Sequence, residues 1–247
     1  MGQTFDVAII GGGIAGFSLA HYLGANRKVL ILEQEDAFGY HATARSAAEF
    51  AFRFHTPLVG KLAALSFPFL NNPPQDFSAV QLLRERGMIL IASEEKRARL
   101  DEVLATESAK TDRLRRFSRD EVLAAAPILN PDFFASAFFD PDCWDIEADA
   151  LFQGFRKSAS ANGTVAISKA RVVSAERKSG YWQIDTHSGQ FEAAVVVNAS
   201  GAWADQTAVL FGAAPLAHAP LNRTMITVDI PVGIDWRSMP EVQEVDE

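Results

Sequence analysis

The first apolar run of the chain, Phe5 to Ile10, has no polar residue after Asp6. That continuity is the pattern of a parallel strand covered on both faces, not the alternation of a half-exposed one. Three consecutive glycines, Gly11 to Gly13, break the run, after which Ile14, Phe17, Leu19 and Leu23 recur at helical spacing up to Gly24. Lys28 to Leu32 returns to strand character and ends at Glu33. These three segments predict a β-α-β unit of the length a right-handed crossover needs.

Further along, Thr56 followed by Pro57 reads as a cap and first turn of a helix. Gly87 to Ala92 has strand character, and Glu94 to Ser108 reads as a charged surface helix with a solvated face. Ser118 with Glu121 has the spacing of a capping box. Trp144 to Ala159 carries a helical pattern, with Ile146, Ala150, Leu151 and Phe155 apolar. Segments 164–167, 171–177, 181–186 and 191–198 then read as consecutive strands. The expected fold is α/β: a discontinuous Rossmann-like domain over 1–56 and 141–215, interrupted by an α+β portion over 57–140 and 216–247.

The 247 residues, 48% hydrophobic and 22% charged, suffice for one large core or a core with a smaller satellite. The formal charge is −8, and the densest basic cluster, Arg113, Arg115, Arg116 and Arg119, is interrupted by Leu114 and Asp120. Nucleic acid is therefore not an expected partner. The single cysteine, Cys143, allows neither a disulfide framework nor a multi-cysteine metal site, which suits a reducing, cytoplasmic setting. The apolar stretch from Phe5 to Ala25 has glycines in its middle and no basic flank, so it does not read as a signal peptide. No uninterrupted apolar run reaches the roughly 18 residues of a membrane span.

Gly11, Gly13 and Gly16 have the spacing G-x-G-x-x-G within the β-α-β unit. Gly11 permits a tight exit from the strand, Gly13 leaves room for a pyrophosphate against backbone N–H groups, and Gly16 lets the helix approach the strand. The phosphates would then meet the positive end of the helix. Glu33, twenty residues past Gly13, can accept hydrogen bonds from both ribose hydroxyls and would repel a 2'-phosphate. The glycine spacing alone also suits an ordinary strand-to-helix corner; the strand before, the helix after and the acid beyond make it a dinucleotide site.

Beyond this unit the segment FGYHATARSAAEF over 38–50 is rich in small residues. Together with GGGIAG, VLILEQE, FPFLNNPP, CWDIEADAL and VVVNASGAWAD, it resembles the D-amino-acid oxidase and dehydrogenase family of FAD-dependent amine oxidoreductases, most closely the bacterial D-arginine dehydrogenase branch. The resemblance implies FAD held by Gly11, Gly13, Ile14, Ala15 and Gly16, with Glu33 and Gln34 at the adenosine ribose. It implies that Thr43, Arg45, Ser46, Ala47 and Ala48 lie near the isoalloxazine ring, that backbone groups at Val172 meet the adenine, and that Ala199, Gly201 and Trp203 approach the cofactor again. At Val172 an ordinary buried strand valine is the other reading. The implied reaction passes a hydride from the alpha carbon of a D-amino acid or similar amine to flavin N5, giving an imine that hydrolyses to a 2-oxo acid.

Substrate residues follow from the same resemblance. The D-arginine dehydrogenase positions of a histidine, a tyrosine and a guanidinium-binding acid fall on Glu49, Phe54 and Gly87, so a guanidinium loses its anionic partner and a different side chain is expected. Phe54 can equally be core. Arg223 is a candidate clamp for the substrate carboxylate, at the start of a strand, with a surface arginine as the other reading. His41 and Cys143 are read as structural.

The inserted portion is then a substrate cap. Relatives continue with further cap strands, a second arginine and a glycine-rich segment against the flavin, so the chain is expected to be a fragment, a truncated product or part of a split protein that meets its missing portion or a partner subunit. The residue types do not specify the electron acceptor. A non-catalytic FAD- or nucleotide-binding module acting in an assembly is the second reading.

Overall fold

The structure is a computed structural model and describes residues 3–54, 56–222 and 224–246. In chain order its elements are β1 (Thr4–Ile10), α1 (Ile14–Leu23), β2 (Val29–Leu32), β3 (Glu49–Ala51), α2 (Pro57–Asn71), β4 (Leu83–Glu85), β5 (Met88–Ala92), α3 (Arg97–Ser108), β6 (Arg115–Phe117) and α4 (Arg119–Ala125). They continue with β7 (Ser136–Asp140), β8 (Cys143–Ile146), α5 (Ala148–Ala161), β9 (Val165–Ile167), β10 (Val172–Lys178), β11 (Tyr181–Thr186), β12 (Gly189–Asn198), α6 (Ala204–Leu210) and β13 (Glu241–Glu244). Two compact units form, one from 1–47, 74–80 and 147–224, the other from 48–73, 81–146 and 225–247.

The first unit is built on a six-stranded sheet of order β10-β11-β12-β1-β2-β9. β12, β1, β2 and β9 run parallel, while β10 and β11 add an antiparallel meander at one edge. Val7 to Ile10 are all buried, as the unbroken apolar run requires of a strand covered on both faces. α1 places Phe17 and Ala20 in the core, and the Phe17 ring meets Phe38 and Phe152 edge-on at 5.3 and 5.6 Å. Phe152 belongs to the apolar stripe of α5, with Leu151, Phe155 and Ala159 also buried.

The second unit holds a four-stranded sheet, β13-β5-β7-β6, and a three-stranded one, β3-β8-β4. β5 is a central strand with every residue buried. Met88, Leu90 and Ala92 face a cluster with Leu100 of α3, whereas Ile89 and Ile91 face Val122 of α4. α4 begins with the capping box expected at Ser118 and Glu121, and α2 begins at Thr56, whose hydroxyl accepts from Val59 N.

Two readings of the sequence change. Trp144 to Ile146 belong to strand β8, between β3 and β4, and the helix begins only at Ala148. Periodicity misled because a buried Trp144 suits either element; the antiparallel partners decide it. Residues 224–230 form no strand, although they alternate β-branched and apolar types: no neighbouring ladder accepts them, and Met225, Ile226 and Val228 stay exposed. The acidic stretch from Asp235 onward belongs to the second unit, with Met239 and Val245 buried and β13 paired in parallel with β5.

The strongest ionic cluster is in this second unit. Arg53 donates from Nε and Nη2 to both oxygens of Asp140 at 2.8 and 2.7 Å, and it also reaches Asp142. Asp140 is 1% exposed, so its charge depends on that fork. Replacing the guanidinium with an apolar chain, Arg53→Met, leaves the buried Asp140 without a cation and Asp142 with Arg113 alone. Urea unfolding should show a loss of about 3 kcal/mol or more.

Candidate functional site: a strand-to-helix turn with a buried acid

At the carboxyl end of β1 three backbone segments converge. Gly11 N donates to Leu32 O at 2.9 Å and Ala199 N donates to Ile10 O at 2.8 Å, so the exits of β1, β2 and β12 are tied together. Gly11 has φ +117°, and a Cβ there would lie 2.2 Å from Ala199 O. Only glycine fits. One helical turn on, a Cβ at Gly16 would lie 2.1 Å from Gly11 O, which is why α1 can pack so near the strand exit.

Gly13 is different. It is the N-cap of α1, with no side-chain cap bond, and a Cβ there would meet only Thr43 Oγ1, at 3.2 Å. The first turn of α1 is therefore open to an anion, with the helix dipole pointing at it. Thr43, in the 3-10 turn over 42–45, accepts from Ile14 N at 3.1 Å. Ala15 is exposed beside it.

Glu33 is 9% exposed. Its Oε2 accepts from Gly12 N at 2.8 Å and its Oε1 from Glu35 N at 3.0 Å, so the carboxylate is fixed beside the glycine turn. Its backbone is held as well: Glu33 N donates to Ile167 O, and Ala170 N donates to Glu33 O. Each carboxylate oxygen retains a lone pair for a hydroxyl. An open helix start beside a fixed acid, at the carboxyl ends of parallel strands, fits the pyrophosphate and ribose of FAD.

Gln34 donates to Glu35 Oε1 at 3.3 Å. Arg45 lies 4.7 Å over the Tyr40 ring, and Ser46 and Ala47 are exposed. The Val172 side chain is packed in the core of the first unit. Gly201 takes φ +55° in the turn after β12, and Trp203 packs against the His41 ring at 4.6 Å. Sequence reasoning missed the pair of His41 Nε2 with Glu35 Oε1 at 2.9 Å, which braces the 38–45 segment. The six-residue separation of a histidine and an acid gave no local signal for it.

Ala48, Glu49, Phe54 and Gly87 lie in the second unit. Ala48 O accepts from Ile146 N, and Glu49 on β3 pairs with Asp145 on β8. Phe54 takes φ +68° and packs against the core cluster containing Phe138. Gly87 has φ +74°, and a Cβ there would lie 2.5 Å from the Phe139 ring, so that place holds no acidic side chain. Arg223 lies outside the described residues. Cys143 is buried, and burial together with the charges of Glu241, Glu49 and Asp140 pushes its thiol up to about 12. It stays a thiol.

The two glycines should separate structure from ligand. Gly16→Ala drives a Cβ into backbone and should cost about 2 kcal/mol or more in denaturant unfolding. Gly13→Ala should leave stability within about 1 kcal/mol, because Gly13 has φ −85° and an ordinary extended backbone.

Comparisons with known proteins agree with this geometry. The family model described as FAD dependent oxidoreductase (DAO) matches residues 6–246. FAD-dependent oxidoreductase domain-containing protein 1 of Bos taurus is 27% identical over 92% of this chain and 53% of its own length. Glycine oxidase of Geobacillus kaustophilus is 26% identical over 94% of this chain and 63% of its own length. The crystal structure of that Geobacillus glycine oxidase superposes with a TM-score of 0.76 at 25% identity, over 85% of this chain and 59% of the other. The chain thus spans between half and two thirds of these relatives. Among the described residues no helix is long and apolar enough to cross a membrane. With a matched model over nearly its whole length and a glycine turn suited to the cofactor, the chain belongs to the DAO family of FAD-dependent oxidoreductases.

Proposed function

We propose that the chain binds FAD through its first unit and forms the cofactor-holding part of an enzyme that oxidises the C–N bond of an amino acid or similar small amine, D-amino acids among them, to an imine and then a 2-oxo acid. The observation that carries this reading is the open first turn of α1 beside the fixed carboxylate of Glu33. The α1 N–H groups orient the pyrophosphate, Glu33 and Gln34 receive the ribose, and the small residues from Thr43 to Ala48 let backbone lie close along the ring. Bound FAD supplies the hydride acceptor; the chain supplies position and exclusion of water.

Substrate preference rests on fewer features. The Phe139 ring fills the space at Gly87, so an acid that would receive a guanidinium has no place there. Glu49 is the anionic group proposed to meet a substrate amine, Phe54 a proposed apolar wall, and Arg223 the proposed partner of the substrate carboxylate. A small substrate side chain is supported by the similarity to a relative described as glycine oxidase. A second reading is a non-catalytic FAD-binding module that works with another polypeptide, which the same glycine turn and Glu33 would serve equally.

Purified chain titrated with FAD should show a shifted flavin spectrum, and Gly13→Ala should weaken binding at least tenfold, since a methyl group enters the pyrophosphate space. Anaerobic addition of glycine or small D-amino acids should bleach the bound flavin, with D-arginine the poorer substrate. Bound FAD that no amine reduces would select the module reading. Failure to take up FAD at all would sink both.

A further inference from the structure

The second unit contains a carboxyl pair that the proposed chemistry does not use as a pair. Glu49 on β3, Cys143 on β8 and Glu241 on β13 bring an oxygen, the sulfur and an oxygen within 4.8 Å of one another. Glu49 Oε2 is enclosed, and no N–H or hydroxyl of the described residues donates to it. A carboxyl oxygen of Glu241 lies within 4.8 Å of one of Glu49, and two carboxyl groups so close can hydrogen-bond only if one of them carries a proton.

Among the described residues no cation forms an ion pair with Glu49 or Glu241. Arg86, the nearest, donates to Asp145 Oδ1 at 2.7 Å and to Met239 O at 3.1 Å, and Arg84 is also bound to Asp145. Cys143 remains neutral, and Asp145 adds a further negative charge. The groups facing Glu241 from every neighbouring element are thus Glu49, Cys143, Asp145 and Arg86.

We propose that Glu49 and Glu241 share one proton, and that this proton latches β13 onto β5, so that the strand is released when both carboxyl groups ionise. β13 is an edge strand, held in register from Glu241 against Met88 to Glu244 against Ile91, with backbone bonds Glu241 N to Gly87 O at 3.0 Å and Val245 N to Ile91 O at 2.9 Å. At its far end Lys96 pairs with Glu244 at 3.0 Å. The proposed proton sits at the opposite, Glu241 end of the strand.

The direction follows from linkage. Burial, and after it the hydrogen bond and charge of Glu49, push the Glu241 carboxyl up to about 8. The docked strand binds a proton that the undocked strand has already lost. Docking is therefore strongest below the ordinary carboxyl range and weakens as pH rises, levelling off above about 8.

The test is hydrogen exchange of the Glu241 and Val245 amides in the whole chain, corrected for intrinsic exchange rate. Between pH 6 and pH 8 their protection should fall about tenfold or more, about a hundredfold being the limit for one proton. Glu241→Gln mimics the protonated carboxyl and donates to Glu49, so its protection should be flat across that range and match the wild type at pH 6. Glu49→Gln removes the repulsion from the other side and should flatten the profile independently, in case the first variant fails to fold. Wild-type protection unchanged between pH 6 and pH 8, or a wild-type slope surviving in either folded variant, overturns the latch.

Discussion

The first unit depends on how closely three stretches of backbone approach one another at the end of the central strand. Gly11 leaves β1 with its hydrogen-bearing face against the carbonyl of Ala199, and the first turn of α1 lies on the carbonyl of Gly11 itself. Side chains at positions 11 or 16 would push these stretches apart, and the helix start would no longer sit over the carboxyl ends of β1 and β12. The anion site is a consequence of that closeness. It needs no basic residue, because the dipole and the open N–H groups of α1 supply the positive potential.

Glu33 shows how one side chain serves fold and site together. Its two oxygens hold Gly12 and Glu35 in place, and the backbone around it is tied to Ile167 and Ala170. A carboxylate so held loses little further freedom when it receives a hydroxyl, which is the advantage of preorganisation in binding. The braces around it are less visible: His41 with Glu35, Trp203 against His41, and Thr43 at the start of α1.

The second unit meets a different demand. Its central strand β5 is covered on both faces, and two of the charged clusters near its sheets have opposite arrangements. Around Arg53 the guanidinium bridges Asp140 and Asp142, with Arg113 also on Asp142, whereas around Glu49 two carboxyl groups face each other with no cation paired to them among the described residues. The first set is stable wherever its carboxylates are ionised. The second is sensitive to its own protonation, because burial raises the cost of adjacent like charges.

The sequence alone determined the parts whose signal is local. The apolar run of β1, the glycine spacing, the acid at Glu33, the capping box at Ser118 and the continuous apolar β5 each follow from neighbours within one or two turns of chain. Tertiary structure decided the rest. Trp144 became a strand residue because β3 and β4 flank it, and 224–230 stayed without a ladder because no strand edge lay alongside. The Gly87 space was closed by Phe139, and the acidic stretch near the end became strand β13 because β5 offered an edge to it. Propensity and periodicity describe what a segment can be; which partner reaches it across a hundred residues is settled by packing, and no local pattern carries that information.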